Sequence, residues 1–160
     1  MIDRATVFGG REESSGKSRF IQTCSTKPGR GVILRKFNPD STYPSFTIYS
    51  QGVQVPPGAR WLYISGQVGV NPDGSLAGDS EAQFERAWLN VMAILEAADM
   101  GAEDLVKVNT YITRPEDVEL NCRARDRFVK DAGPAATNVI VARLSYPEWV
   151  VEIEAVAAKA

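Results

Sequence analysis

The 160-residue chain contains no histidine and only two cysteines. The first absence removes the commonest metal ligand and the side chain most used for proton transfer near neutral pH. Cys24 and Cys122 stand far apart without C-x-x-C spacing, so neither a zinc site nor a redox pair is supported. No stretch approaches the ~18 consecutive apolar residues of a membrane span. The N-terminus also lacks the continuous apolar segment of a secretory signal. The chain therefore reads as cytoplasmic, with no membrane partner. Its chemistry has to come from carboxylates, hydroxyls, amides, backbone groups and water.

The net charge of -2 hides an asymmetry. Residues 1–36 carry eight Lys/Arg against three Asp/Glu, whereas residues 37–160 carry ten against seventeen. An acidic body repels a phosphate backbone, so nucleic acid is not an expected partner. An apolar fraction of 44% is enough for one ordinary globular core.

Residues 1–31, mixing Gly, Ser, Lys and Arg without a sustained period, read as a flexible N-terminal extension. The periodic domain is expected over 32–160, with Val32, Leu34 and Phe37 in a first strand. "FTIYSQGVQV" (46–55) suits a second strand, and residues 60–70 a return strand that forms a hairpin with it across Pro56, Pro57 and Gly58. Within the return strand Trp61, Leu62, Tyr63 and Ile64 give way to Ser65, Gly66 and Gln67. Glycine inside a strand marks a bulge or a close approach by another group.

Ser80 and Gln83 have capping-box spacing, and Phe84, Ala87, Trp88, Val91, Leu95 and Ala98 follow at helical intervals until Gly101. "LVKVNTYIT" (105–113) alternates as a strand does, and a second helix is expected over 117–130. Strands over 138–144 and 149–157 close the chain. Two amphipathic helices on one face of one mixed sheet make an α+β sandwich. In "VVEIEAVA", Val151, Ile153 and Ala155 share one face, while Val150, Glu152, Glu154 and Val156 share the other. That second face is too apolar for bulk water and too charged for a dry core, so it is expected to meet other copies of the chain.

Several blocks, in order, resemble the RidA/YjgF family, also called the L-PSP or translation-inhibitor family. They are "YSQGV" (49–53), "YISGQVGVNPDG", "AQFERAWLNVMAILEAAD", "DLVKVNTYIT" and the terminal "VEIEAVA". The resemblance spans about residues 33–158. It implies a chorismate-mutase-like α+β fold, assembled as a homotrimer whose sheets line a central barrel, with a small-molecule ligand at each subunit interface. It also implies hydrolysis of reactive enamines and imines, such as 2-aminoacrylate, to 2-keto acids and ammonia without a metal or cofactor. Carried over by position, Tyr49 matches the tyrosine near the ligand, and Ser65 and Gly66 the pocket Ser-Gly. Asn121 matches an asparagine on the second helix, and Glu152 the glutamate that holds or activates water. Asn121 is equally readable as a brace of its own helix, and Gln67 as a structural residue.

One departure bears on function. Deaminases of the family carry an arginine, in a segment resembling P-A-R-S, where this chain reads "GPAATNVIVARL" and places Ala136. Thr137 and Asn138 leave a neutral, hydrogen-bonding replacement. A methyl group cannot grip a carboxylate as a guanidinium does, a loss worth about 2–5 kcal/mol in a sheltered site. Arg143 would lie about 23 Å further along the strand at about 3.3 Å per residue, on the opposite face. Arg60, Arg123 and Arg125 are the other candidate cations for a pocket that spans an interface. The expected ligand is thus altered, for instance an uncharged imine, amide or carbonyl compound rather than 2-aminoacrylate. Three functions follow: a Rid-type hydrolase, a non-catalytic ligand-binding or regulatory trimer, and an endoribonuclease, which the acidic body disfavours.

Overall fold

Sheet alternation and helix periodicity translate into two layers. The computed structural model describes residues 34–45 and 47–160. The expected extension over 1–31 and the start of the first strand at Val32 lie outside the described residues. In chain order the elements are β1 (Arg35–Phe37), β2 (Gly52–Gln54), β3 (Arg60–Val68), α1 (Ser80–Ala97) and β4 (Leu105–Ile112). After them come α2 (Val118–Val129), β5 (Ala135–Ile140) and β6 (Val151–Lys159).

Four strands form one mixed sheet in the order β3-β6-β4-β5, with β4 parallel to β5 and antiparallel to β6. The expected hairpin does not form. β2 pairs antiparallel with β1, matching Arg35 to Gln54 and Phe37 to Gly52, in a separate two-stranded ribbon.

The helices cover one face of the sheet. Phe84, Ala87, Trp88, Val91 and Leu95 of α1 are fully buried against Ile64, Val108, Ile153, Ala155 and Ala157. Trp88 stacks on Phe128 of α2 with ring centroids 5.9 Å apart. Gly69, just past β3, permits the close seating of α1, because a Cβ there would stand 2.6 Å from the Cα of Gln83.

The start of α1 differs from the expected capping box. Asp79 is the cap, its carboxylate accepting from the Ala82 N–H at 3.0 Å. Ser80 instead donates its hydroxyl to Asp117, at 2.9 Å. Gln83 turns inward and is 4% exposed. Its Nε2 donates to the Glu148 carbonyl at 3.1 Å and its Oε1 accepts from the Val150 N–H at 3.0 Å, tying the entry of β6 to the helix. That contact also buries Val150, which was expected on the open face. At the other end the left-handed residue is Asp99 (φ 54°) rather than Gly101, since a short polar side chain tolerates that backbone. β5 ends at Ile140, so Arg143 lies exposed beyond the strand rather than on it.

Candidate functional site

The interrupted strand at Ser65 and Gly66 is a β-bulge. Ile64 pairs with Ala155 and Gln67 with Ile153, so Ser65 and Gly66 together oppose Glu154 alone. A Cβ on Gly66 would fall 1.8 Å from Oε1 of Glu152. The space left by the missing side chain is therefore filled by the Glu152 carboxylate. Gln67 closes the local turn, its Nε2 donating to the carbonyls of Ser65 and Gly66 at 3.1 and 3.3 Å.

Two carboxylates project from β6 on this open face, and they are held differently. Oε1 of Glu154 accepts from Asn109 Nδ2 at 2.8 Å and from the Tyr111 hydroxyl at 3.0 Å. The hydrogen bond to Glu154 pushes the Tyr111 phenol above its usual range, reinforced by partial desolvation and by the charges of Glu154 and Glu152. Glu152 makes no hydrogen bond or ion pair among the described residues. It is the carboxylate with capacity left for a ligand or a water.

A cavity of about 650 Å³ lies between the 43–51 segment, the start of β5 and α2. Ser50 builds it: its hydroxyl donates to the Gly133 carbonyl at 2.7 Å and its N–H to the Pro134 carbonyl at 3.1 Å. A bridge between Ser50 and Ala135 lays this segment along the free edge of β5. Tyr49, Ala136, Thr137 and Asn138 all line the cavity. Lys107 of β4 also lines it, donating through Nζ to the Thr137 hydroxyl. Burial pushes the Lys107 ammonium below its usual range. Lys107 also borders a smaller cavity, about 280 Å³, shared with Ser65, Asn109 and Glu154. A larger space of about 800 Å³ near the C-terminus holds none of the expected site residues, and Lys36, Glu103, Lys130 and Asp131 at its rim are exposed.

Residues 41–159 match the family described as Endoribonuclease L-PSP. A RutC family protein of Aquifex aeolicus is 41% identical over 114 residues, covering 69% of this chain and 88% of that protein. The chain belongs to the RidA/YjgF family. The 2-iminobutanoate/2-iminopropanoate deaminase of Escherichia coli K12 is 34% identical over 116 residues, which cover 69% of this chain and 87% of the enzyme. Among solved structures, a Rid-family protein of Yersinia pestis has a TM-score of 0.71 at 34% identity, covering 79% of this chain and 98% of that one. E. coli TdcF, crystallised with bound serine, has a TM-score of 0.60 at 29% identity, covering 81% of this chain and 99% of that one. The α+β sandwich with two helices on one face of a mixed sheet is thus the Rid fold.

Placed on this Rid fold, the expected site residues separate. Tyr49, Ala136, Thr137 and Asn138 gather at the β5 cavity, Ser65 at the smaller one, and Glu152 against Gly66. Asn121 does not join them: it is 0% exposed in the core, and neither atom of its amide has a hydrogen-bond partner among the described residues. It sits on the face of α2 that packs inward, while Val118, Cys122 and Arg125 border the cavity.

The other arginines are sorted by geometry. Arg60 donates to the Ala98 carbonyl at 2.8 Å, near the end of α1. Arg123 pairs with Glu119 at 3.0 Å on the exposed side of α2. Only Arg125, of Arg60, Arg123, Arg125 and Arg143, borders the cavity. Sequence reasoning passed over Lys107 and Thr47 as site residues. The signal for Lys107 was its place on the polar side of "LVKVNTYIT", but pairing with β5 was needed to give that side a destination.

Proposed function

We propose that the chain is a Rid-type hydrolase of an enamine, imine or related C–N metabolite, working as a homotrimer with its ligand at the subunit interfaces. The observation that carries this reading is the Glu152 carboxylate, without a partner among the described residues and held over Gly66 on the open face of the sheet. Relatives of E. coli and Dermatophagoides farinae named 2-iminobutanoate/2-iminopropanoate deaminase support it, at 34% and 33% identity. In this mechanism the oxygen of a water bonds to the C=N carbon while Glu152 takes one of its protons. Backbone N–H groups at the bulge steady the developing charge. Glu152 returns that proton to the nitrogen, and the hydroxyl gives up its own proton to the nitrogen as its oxygen forms the C=O. The C–N bond breaks with its electron pair leaving on nitrogen, and ammonia and a carbonyl product remain.

Within one protomer Glu152 lies two strands from β5, about 10 Å at a strand spacing near 4.8 Å. A second copy closing over the open face brings a carboxylate to the neighbour's cavity. Tyr63, 76% exposed, Trp61, 48% exposed, and Val139 on β5 give such closure apolar surface to bury. Ala136 supplies no cation, so recognition differs from that of a deaminase with an arginine at this position. The same methyl group favours the second reading, a ligand-binding trimer without turnover.

Release of ammonia and keto acid from freshly generated 2-aminoacrylate and 2-iminobutanoate tests the proposal. Turnover by the chain that falls at least about a hundredfold in Glu152→Gln is the expected result. Undiminished turnover in that variant would remove Glu152 from the mechanism, and binding without product would favour the second reading.

A further inference from the structure

Arg125 is 2% exposed yet borders the β5 cavity, an expensive place for a charge unless something there uses it. Its Nε and Nη2 donate to Asp126 Oδ1 at 3.2 and 3.0 Å, and Nη2 also donates to the Thr47 hydroxyl. A guanidinium has five N–H groups. These contacts occupy the Nε–H and both hydrogens of Nη2, which leaves the two on Nη1. Nη1 has no partner among the described residues, and it is not among the fully enclosed polar atoms that lack one. Asp126 and Thr47 thus fix the plane of the guanidinium while one nitrogen stays open.

Ala136 faces the same side of the sheet. It pairs with Val108, whose side chain is buried beneath the helices, so its methyl group points to the layer that contains α2. An arginine at 136 would start from the strand and enter the space that Arg125 enters from the helix. The second cation on the cavity, Lys107, has no carboxylate partner among the described residues. Two cations border this cavity, Arg125 from the helix layer and Lys107 from the other face of the sheet, and the single carboxylate paired with either among the described residues, Asp126, is bound along the Nε edge.

We propose that Arg125 binds the acid group of the ligand, so that the chain takes a small carboxylate held from α2 instead of from β5. The inference deepens the hydrolase reading, on which its choice of ligand rests, and it replaces the expectation of an uncharged ligand. Lys107 contributes positive potential from the β4 side. Burial has already lowered its affinity for its proton, and an anion in the cavity reverses that shift.

Isothermal titration of the full chain with 2-oxobutanoate and with its uncharged primary amide tests the assignment. The acid should bind more tightly than the amide. Arg125→Gln should weaken the acid at least about tenfold while moving the amide by no more than about twofold. Arg125→Lys, which keeps a charge on α2, should fall between. Equal binding of acid and amide by the unaltered chain, binding of neither, or an unchanged acid affinity in Arg125→Gln each overturns the proposal. If Arg125→Gln does not fold, as judged by circular dichroism, the acid-against-amide comparison and Arg125→Lys decide. The two readings also fail separately. Arg125-dependent binding without ammonia release removes the hydrolysis, whereas turnover with unchanged KM in Arg125→Gln removes this inference alone.

Discussion

The four-stranded sheet has one face sealed by helices and one left open, and strand β6 contributes to both. On the sealed side Val151, Ile153, Ala155 and Ala157 lie under α1 with Trp88 and Phe84, all buried. On the open side Glu152 and Glu154 stand beside Asn109 and Tyr111. Volume governs the first set: a core at crystal-like density has no room for a changed side chain. Hydrogen-bond capacity governs the second, where among the described residues Glu154 is occupied by two donors and Glu152 by none. A period-2 strand lets stability and chemistry be assigned to alternate residues, so substitutions on the two faces should move different observables.

The largest effect is expected at the centre of the sealed face. Trp88→Ala removes a fully buried ring stacked on Phe128 and should cost about 3–5 kcal/mol in urea denaturation. Glu152→Gln should do the reverse, lowering turnover at least about a hundredfold while shifting stability by less than about 0.5 kcal/mol. Gly69→Ala forces a methyl group against the backbone of α1 at Gln83 and should destabilise by about 1–3 kcal/mol. Gly66→Ala is the counterpart on the open face. Its methyl group meets the movable Glu152 side chain, so about 1 kcal/mol or less of stability is expected to go, with a clear loss of turnover. Similar stability losses at Gly69 and Gly66 would dissolve the contrast between the faces.

Tyr111 gives the smallest and most specific readout. Its phenol is raised mainly by the hydrogen bond to Glu154. Its contribution to stability is complete below the ordinary tyrosine value near 10 and is lost as pH rises through its higher folded value. In a phenolate absorbance titration, one of the five tyrosines should ionise late. That component should vanish in Tyr111→Phe, and its persistence would show that Glu154 is not bound by Tyr111.

Much of this was legible in the residues. The interval from Phe84 to Leu95 placed α1, and the alternation in "VVEIEAVA" divided the faces of β6 correctly from Val151 onward. Gly66 announced a bulge, but its cause, the carboxylate of a strand 86 residues later, is a tertiary contact. The hairpin of 46–55 with β3 was misjudged because local turn residues carry no information about which partner strand wins. Which reading of Asn121 applies was not legible, because the choice of helix face depends on what α2 packs against. The four candidate arginines were equivalent in the sequence, and the fold gave each a different neighbour.

The sequence by itself determined the class of architecture and the family, because periodicity and residue identity are local properties. Only the tertiary structure decided which of the two β6 carboxylates lacks a partner among the described residues and which arginine reaches the cavity. Those outcomes depend on distances between β6 and the bulge, and between α2 and the 47–51 segment, that no spacing along the chain encodes.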